Sequence, residues 1–147
     1  MRDYKFRGKR IDNREWVEGC YAEFINYLDG NSKPGIQVIK QVPSSFDRMI
    51  PAFETELLEV IPATVGQFTG IKDKNGREIY EGDICVDARG FRFIVIWDDD
   101  NARFLGRGIG EQKEYIRYVG QEPAVEVLET IHDNPGLLGG GEPDADK

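Results

Sequence analysis

The sequence predicts a mainly β protein: a compact, strongly bent or SH3-like β-barrel, or a pair of small half-barrels, with short helical turns. Apolar residues alternate with polar ones where helical spacing would require gaps of three and four. Seventeen Gly and 7 Pro among 147 residues interrupt the chain too often for a helical bundle. Eight Phe, 6 Tyr and 2 Trp within 39% hydrophobic residues supply a core.

The elements follow in chain order. Tyr4 and Phe6 face one way, toward a core, and Lys5 and Arg7 the other. Glu15 to Phe24 reads as extended, but both faces mix apolar and charged side chains; a bulge at Gly19 would swap them, so the register stays open. Ile36, Val38 and Val42 share a face with Lys40, and Phe91, Phe93, Val95 and Trp97 share one opposite Arg92. Shorter strands are expected at Leu57 to Ile61, Ile84 to Asp87, Ala102 to Leu105 and Tyr115 to Val119; Val125 to Ile131 suits strand or helix. Asp12-Asn13, Asp29-Gly30-Asn31, Asn75-Gly76 and Arg89-Gly90 mark turns between them. Pro62 to Gly66 suits one helical turn, and Asp133 or Asn134 can cap another starting at Pro135. The β domain is expected over residues 1–138, with GGGEPDADK at 139–147 a disordered acidic tail.

The hairpin GIKDKNGREIY permits a choice between turn types. A two-residue Asn75-Gly76 loop sets Lys74 against Arg77 and Asp73 against Glu78, like charge facing like twice. A three-residue Lys74-Asn75-Gly76 loop pairs Asp73 with Arg77, Lys72 with Glu78 and Ile71 with Ile79. The second register predicts a type I turn with a left-handed Gly76.

Charge is unevenly distributed. The net charge is −8, yet residues 1–14 carry six Lys/Arg against two Asp, leaving −12 for the remainder. The longest uncharged run, Val60 to Ile71, falls far short of the ~20 residues of a membrane span. MRDYKFRGKR lacks the apolar centre of a signal peptide, so the expectation is a cytoplasmic protein with Cys20 and Cys85 reduced.

The run VIPATVGQFTGIKDKNGREIYEGDI at 60–84 resembles the signature of the YopX family of bacteriophage and prophage proteins. KFRGKRIDNREWVEG at 5–19 and IHDNPGLL at 131–138 agree with it. The resemblance implies a phage-borne, mostly β protein without an assigned chemistry, and no catalytic residue is carried over. Pro62, Gly66, Gly70, Asp73, Asn75, Gly76, Gly82 and Asp83 are the residue types that turns demand. Gln67 and Thr69 are read as partners of backbone groups beside those turns.

No spacing assigns a catalytic, cofactor or metal site. His132 is the single histidine, and Cys20 and Cys85 stand too far apart for a C-x-x-C pair. Counting from Asp98, Arg103 and Ile109 occupy the positions where a calcium loop needs Gly and Glu. Gly106-Arg107-Gly108-Ile109-Gly110 has Glu111 where a dinucleotide loop needs its third Gly. An enzyme would require Asp98, Asp100 or His132 to converge in a pocket.

Two binding classes remain. An acidic surface suits a regulatory or inhibitory module for a host or phage protein. Arg2, Lys5, Arg7, Lys9 and Arg10, alternating with Tyr4 and Phe6, suit single-stranded nucleic acid or RNA, although −12 elsewhere opposes long-range attraction. Edge strands also give copies of the chain a route to associate.

Overall fold

The computed structural model describes residues 3–42, 52–112, 116–118 and 125–136. The expected tail at 139–147, Arg2, and Leu137 and Leu138 lie outside them. The described residues form a mainly β structure of eleven strands and two short 3-10 turns, divided into two compact units.

The first unit, Tyr4–Gln67, contains β1 (Phe6–Lys9), β2 (Trp16–Ile25), β3 (Ser32–Val42) and β4 (Ala52–Glu59) as an antiparallel ladder in the order β4-β3-β2-β1. A 3-10 turn at Pro62–Thr64 has Pro in its first turn, as the sequence predicts. It leads into β5 (Gly66–Lys72), whose first two residues pair with Phe6 and Arg7 of β1. Ile36 and Val60 are fully buried in this unit. No bulge interrupts the pairing of Gly19 with Phe6. A Cβ there would stand 2.2 Å from the Gln37 carbonyl oxygen, so Gly19 permits a close backbone approach.

The second unit holds the rest of β5, β6 (Glu78–Tyr80), β7 (Asp83–Val86), β8 (Arg92–Asp98), β9 (Arg103–Gly108), β10 (Ile116–Tyr118) and β11 (Glu126–Thr130). The last five form a ladder in the order β10-β9-β8-β7-β11. Residues 126–130 are thus a strand, resolving the ambiguity of that segment. Ile79, Cys85, Phe93, Val95, Val125 and Val127 make its core. No strand pairing among the described residues closes either unit into a barrel.

Loop length decides which residue must turn left-handed. Gly76 at φ 82° and Gly90 at φ 86° end two three-residue loops built alike. In each, the aspartate at the start donates its N–H four residues on, Asp73 to Arg77 at 2.7 Å and Asp87 to Phe91 at 3.0 Å, while the glycine N–H returns to the aspartate carbonyl. Lys72 stands opposite Glu78, confirming the three-residue reading. Three other hairpins carry four-residue loops, closed by Arg10 and Glu15, Asn26 and Asn31, and Asp98 and Arg103. Their fourth loop residues are Arg14 at φ 60°, Gly30 at φ 71° and Ala102 at φ 51°. Two of those are not glycine, and the left-handed region costs an L-residue about 1–2 kcal/mol.

Opposite signs are therefore expected at two turns. Gly76 has open space around it, so Gly76→Ala destabilises by about 1 kcal/mol through φ alone. Ala102→Gly stabilises by up to about 1 kcal/mol, strain relief outweighing the added freedom of the unfolded chain. Urea titration of both variants checks the pair of signs.

Candidate functional site

The basic start is integral to the first unit. The alternation places Phe6 and Gly8 on one face and Arg7 and Lys9 on the other, but burial inverts part of the expectation: Tyr4 is 70% exposed and Arg7 only 8%. Tyr4 is therefore not core. The Arg7 guanidinium lies 4.6 Å from the Trp16 ring centroid, and the Lys9 ammonium lies 5.5 Å from the same centroid. Arg10 forks onto Asp12 through Nε at 2.9 Å and Nη2 at 2.6 Å. That contact raises the Arg10 pKa and lowers the Asp12 pKa. Lys5 is half-buried. The described cations are thus held by an aromatic ring, a turn carboxylate and the sheet.

The signature residues do structural work. Thr64 Oγ1 donates to the Ile61 carbonyl at 2.6 Å and accepts from Lys9 N at 2.9 Å, joining the 3-10 turn to β1. Gly70, at φ 87°, sits within the irregularity in the pairing of β5 with β6. There Thr69 Oγ1 donates to the Ile79 carbonyl at 2.8 Å and accepts from Ile71 N at 3.2 Å, the backbone role expected of it. Gly82, at φ 90°, donates to the Val95 carbonyl, and the fully buried Asp83 accepts from Tyr80 N at 2.8 Å.

Asp73 has the longest reach. Its Oδ1 accepts from Asn75 N at 2.8 Å and Arg77 N at 2.9 Å, and its Oδ2 accepts from Val127 N at 3.0 Å. Lys74 N donates to the Val125 carbonyl, and Lys74 Nζ lies 3.2 Å from Glu126. The turn is thereby fastened along β11. Burial pushes the Asp73 carboxyl up, but the three backbone N–H donors outweigh it and the pKa falls below the ordinary 3.8. Asp73 stands across the hairpin from Arg77, as the sequence predicts, and its carboxylate also turns inward onto backbone N–H groups, including one from β11.

Asp98 closes its own turn, accepting from Asp100 N, Asn101 Nδ2 and Arg103 Nε. The Asn101 bond, the largest influence, together with the Arg103 bond lowers its pKa against the opposing effect of desolvation. His132 lies beside Gly82, where a Cβ would come within 3.0 Å of its Nε2, and its backbone N–H donates to Thr130 Oγ1. Gly106 and Gly108, from the glycine-rich stretch, are buried within β9 opposite Val95 and Phe93. Among the described residues, no group of three His, Cys, Asp or Glu side chains is arranged to hold a metal. No described helix is long and apolar enough to cross a membrane.

The sequence reading missed the tip of the hairpin joining β2 and β3. Tyr27 is 98% exposed and Leu28 is 97% exposed. The loop beneath them is fixed by Asn26 N to Asn31 O at 2.9 Å, Gly30 N to Asn26 O at 2.7 Å, Leu28 N to Asn26 Oδ1 at 2.9 Å and Asn31 N to Asp29 Oδ1 at 2.9 Å. Phe24 and Ile25 line a shallow hollow with them. A Tyr and a Leu on a tied turn present apolar area with little backbone ordering cost on contact. Inspection of the turn signal Asp29-Gly30-Asn31 locates the loop but does not show that its first two residues point wholly into solvent.

A family model described as YopX protein matches residues 5–139. The crystal structure of protein EF1440 from Enterococcus faecalis is similar at a TM-score of 0.57 and 24% identity, covering 94% of this chain and 99% of that one; it supports the fold. No curated protein matches the chain.

Two predictions follow from this chemistry. Arg7→Glu removes the guanidinium from Trp16 and sets a carboxylate opposite Glu18, destabilising by about 2–4 kcal/mol in urea titration; unchanged stability would contradict a structural role for the Arg7–Trp16 contact. Because the Asp73 pKa is depressed, its contribution is fully present above the ordinary value of 3.8 and is lost as pH falls through the folded value. Asp73→Asn costs about 1–3 kcal/mol at neutral pH and less at low pH, a convergence that paired denaturations at pH 7 and pH 3 would display.

Proposed function

This chain belongs to the YopX family, and from that premise we propose that it is a phage- or prophage-encoded, non-enzymatic module that binds a host or phage protein in the bacterial cytoplasm, with a regulatory or inhibitory effect. The observation that carries the reading is the fully exposed Tyr27-Leu28 tip on a turn tied by backbone and Asn/Asp hydrogen bonds. Isolated exposed apolar residues are ordinary, but an adjacent pair on a hydrogen-bonded turn is suited to filling a pocket, and an apolar side chain such as Leu28 contributes about 1.5–3 kcal/mol on burial. The partner is accordingly a protein with an apolar pocket, and a net charge of −8 favours a basic rim around it.

The nucleic-acid alternative has less support, because Arg7 is buried and Arg10 is forked onto Asp12. Affinity capture from host lysate, comparing the wild type with Tyr27→Ser/Leu28→Ser, tests the proposal. The tip variant should fold with unchanged stability and lose the captured protein. Absence of any captured protein with the wild type, or the same capture with the variant, overturns it; binding to single-stranded nucleic acid that weakens steeply with salt supports the alternative.

A further inference from the structure

β4 is the outer strand of its ladder, and two hydrogen bonds fix which way its backbone points. Val60 N donates to the Pro34 carbonyl on the β3 side at 3.2 Å, whereas the Glu59 carbonyl accepts from Ile11 N at 3.1 Å on the other. Peptide groups alternate between the two sides of a strand, so Phe53, Thr55 and Leu57 point as Glu59 does, away from β3. Among the described residues no hydrogen bond reaches the N–H or C=O groups of these three. A hollow lined by Arg10, Ile11, Asp12 and residues 56–59 ends the open stretch. The side chains along it are sorted by face: Phe53, Thr55 and Leu57 stand on one, and Glu54 and Glu56 on the other with Lys40. Lys40 Nζ lies 2.6 Å from Glu56, and Arg10 is forked onto Asp12 nearby. Three carboxylates therefore meet two cations, and Glu54 is the one without an ion-pair partner among the described residues.

We infer that the β4 edge takes an extended segment of a partner protein as an added antiparallel strand, with uncharged side chains of that segment beside Phe53, Thr55 and Leu57 and Lys or Arg beside Glu54 and Glu56. Backbone groups arrayed along an edge are matched by another backbone, and antiparallel pairing is the more stable per residue. The side chains then select the sequence. An opposite-charge pair across two strands contributes about 0.2–1 kcal/mol, and a like-charge pair opposes the pairing. A second copy of the chain is excluded by the same charges. Pairing β4 antiparallel with another β4 about Thr55 sets Glu54 against Glu56 twice, between molecules that each carry −8. What repels a copy attracts a basic strand. This edge is separate from the Tyr27-Leu28 tip, and the inference does not depend on that reading.

The probe is a capped synthetic heptapeptide alternating Lys and Val, titrated into the full chain while amide exchange is followed by NMR. In the antiparallel pairing the residues opposite Phe53, Thr55 and Leu57 direct their N–H groups at β4, and these are the Val residues. The peptide, at up to about 1 mM, should slow exchange at the Thr55 and Leu57 amides. N-methylation of its Val amides should weaken binding about tenfold or more, whereas N-methylation of its Lys amides, which keeps the same charge, should leave it nearly unchanged. Glu54→Lys should weaken binding, as should Thr55→Pro, which removes an outward N–H and no bond to β3. The three peptides require no change to the protein, so a Thr55→Pro chain that fails to fold leaves the test standing. Thr55 and Leu57 amides already protected before peptide is added, no added protection with it, or equal binding of all three peptides would overturn the inference.

Discussion

The carboxylate of Asp73 is the constraint on which the second unit depends. Backbone N–H groups removed from water require acceptors, and a tight turn set against a strand leaves donors that no ladder satisfies. Asp73 supplies acceptors to Asn75, Arg77 and Val127, so one side chain both closes a hairpin and attaches it to a strand 54 positions later. Asp87 repeats the local half of this arrangement, accepting from Arg89 N and Phe91 N. Asp83 and Asp98 likewise serve neighbouring donors. Part of the acidic excess is therefore internal, engaged in holding turns, and the charge presented to partners is less than composition alone suggests.

Much of this was legible where local chemistry is decisive. The like-charge clashes of a two-residue loop selected the three-residue turn at Gly76, and Gly70, Gly76 and Gly82 are left-handed, whereas Gly66 and Asp83 begin strands. The left-handed conformations at Arg14 and Ala102 were not legible, because neither residue favours that region; the four-residue loop imposes it. Nor does alternation say which face of a strand becomes covered. β1 has Phe6 on one face and, through its neighbour Trp16, an aromatic ring on the other, so Arg7 is buried, while Tyr4 precedes the strand and is exposed. Asp73 differs for a third reason. Its partner at Val127 is remote in sequence, and a cross-hairpin argument sees only the near half of its environment.

The two candidate surfaces differ in legibility for the same physical reason. The Tyr27-Leu28 tip lies next to an evident turn signal, but its significance comes from complete exposure on a fixed backbone. The face with Ile39, Phe53 and Leu57 at the β4 edge emerges only after register places alternate residues of β3 and β4 together; read along the chain, each of the three has a charged neighbour, Lys40, Glu54 and Glu56. Family membership and the likeness to the Enterococcus faecalis protein support the fold that presents both surfaces.

Native-state amide hydrogen exchange at Val127 tests the central role of Asp73 most directly, because the Val127 N–H is directed at the carboxylate. The account predicts that the Val127 amide is protected in the wild type and that Asp73→Ala lowers its protection well beyond the change at Val95 in the ladder core. An unprotected Val127 in the wild type, or equal changes at Val127 and Val95 in the variant, would contradict it.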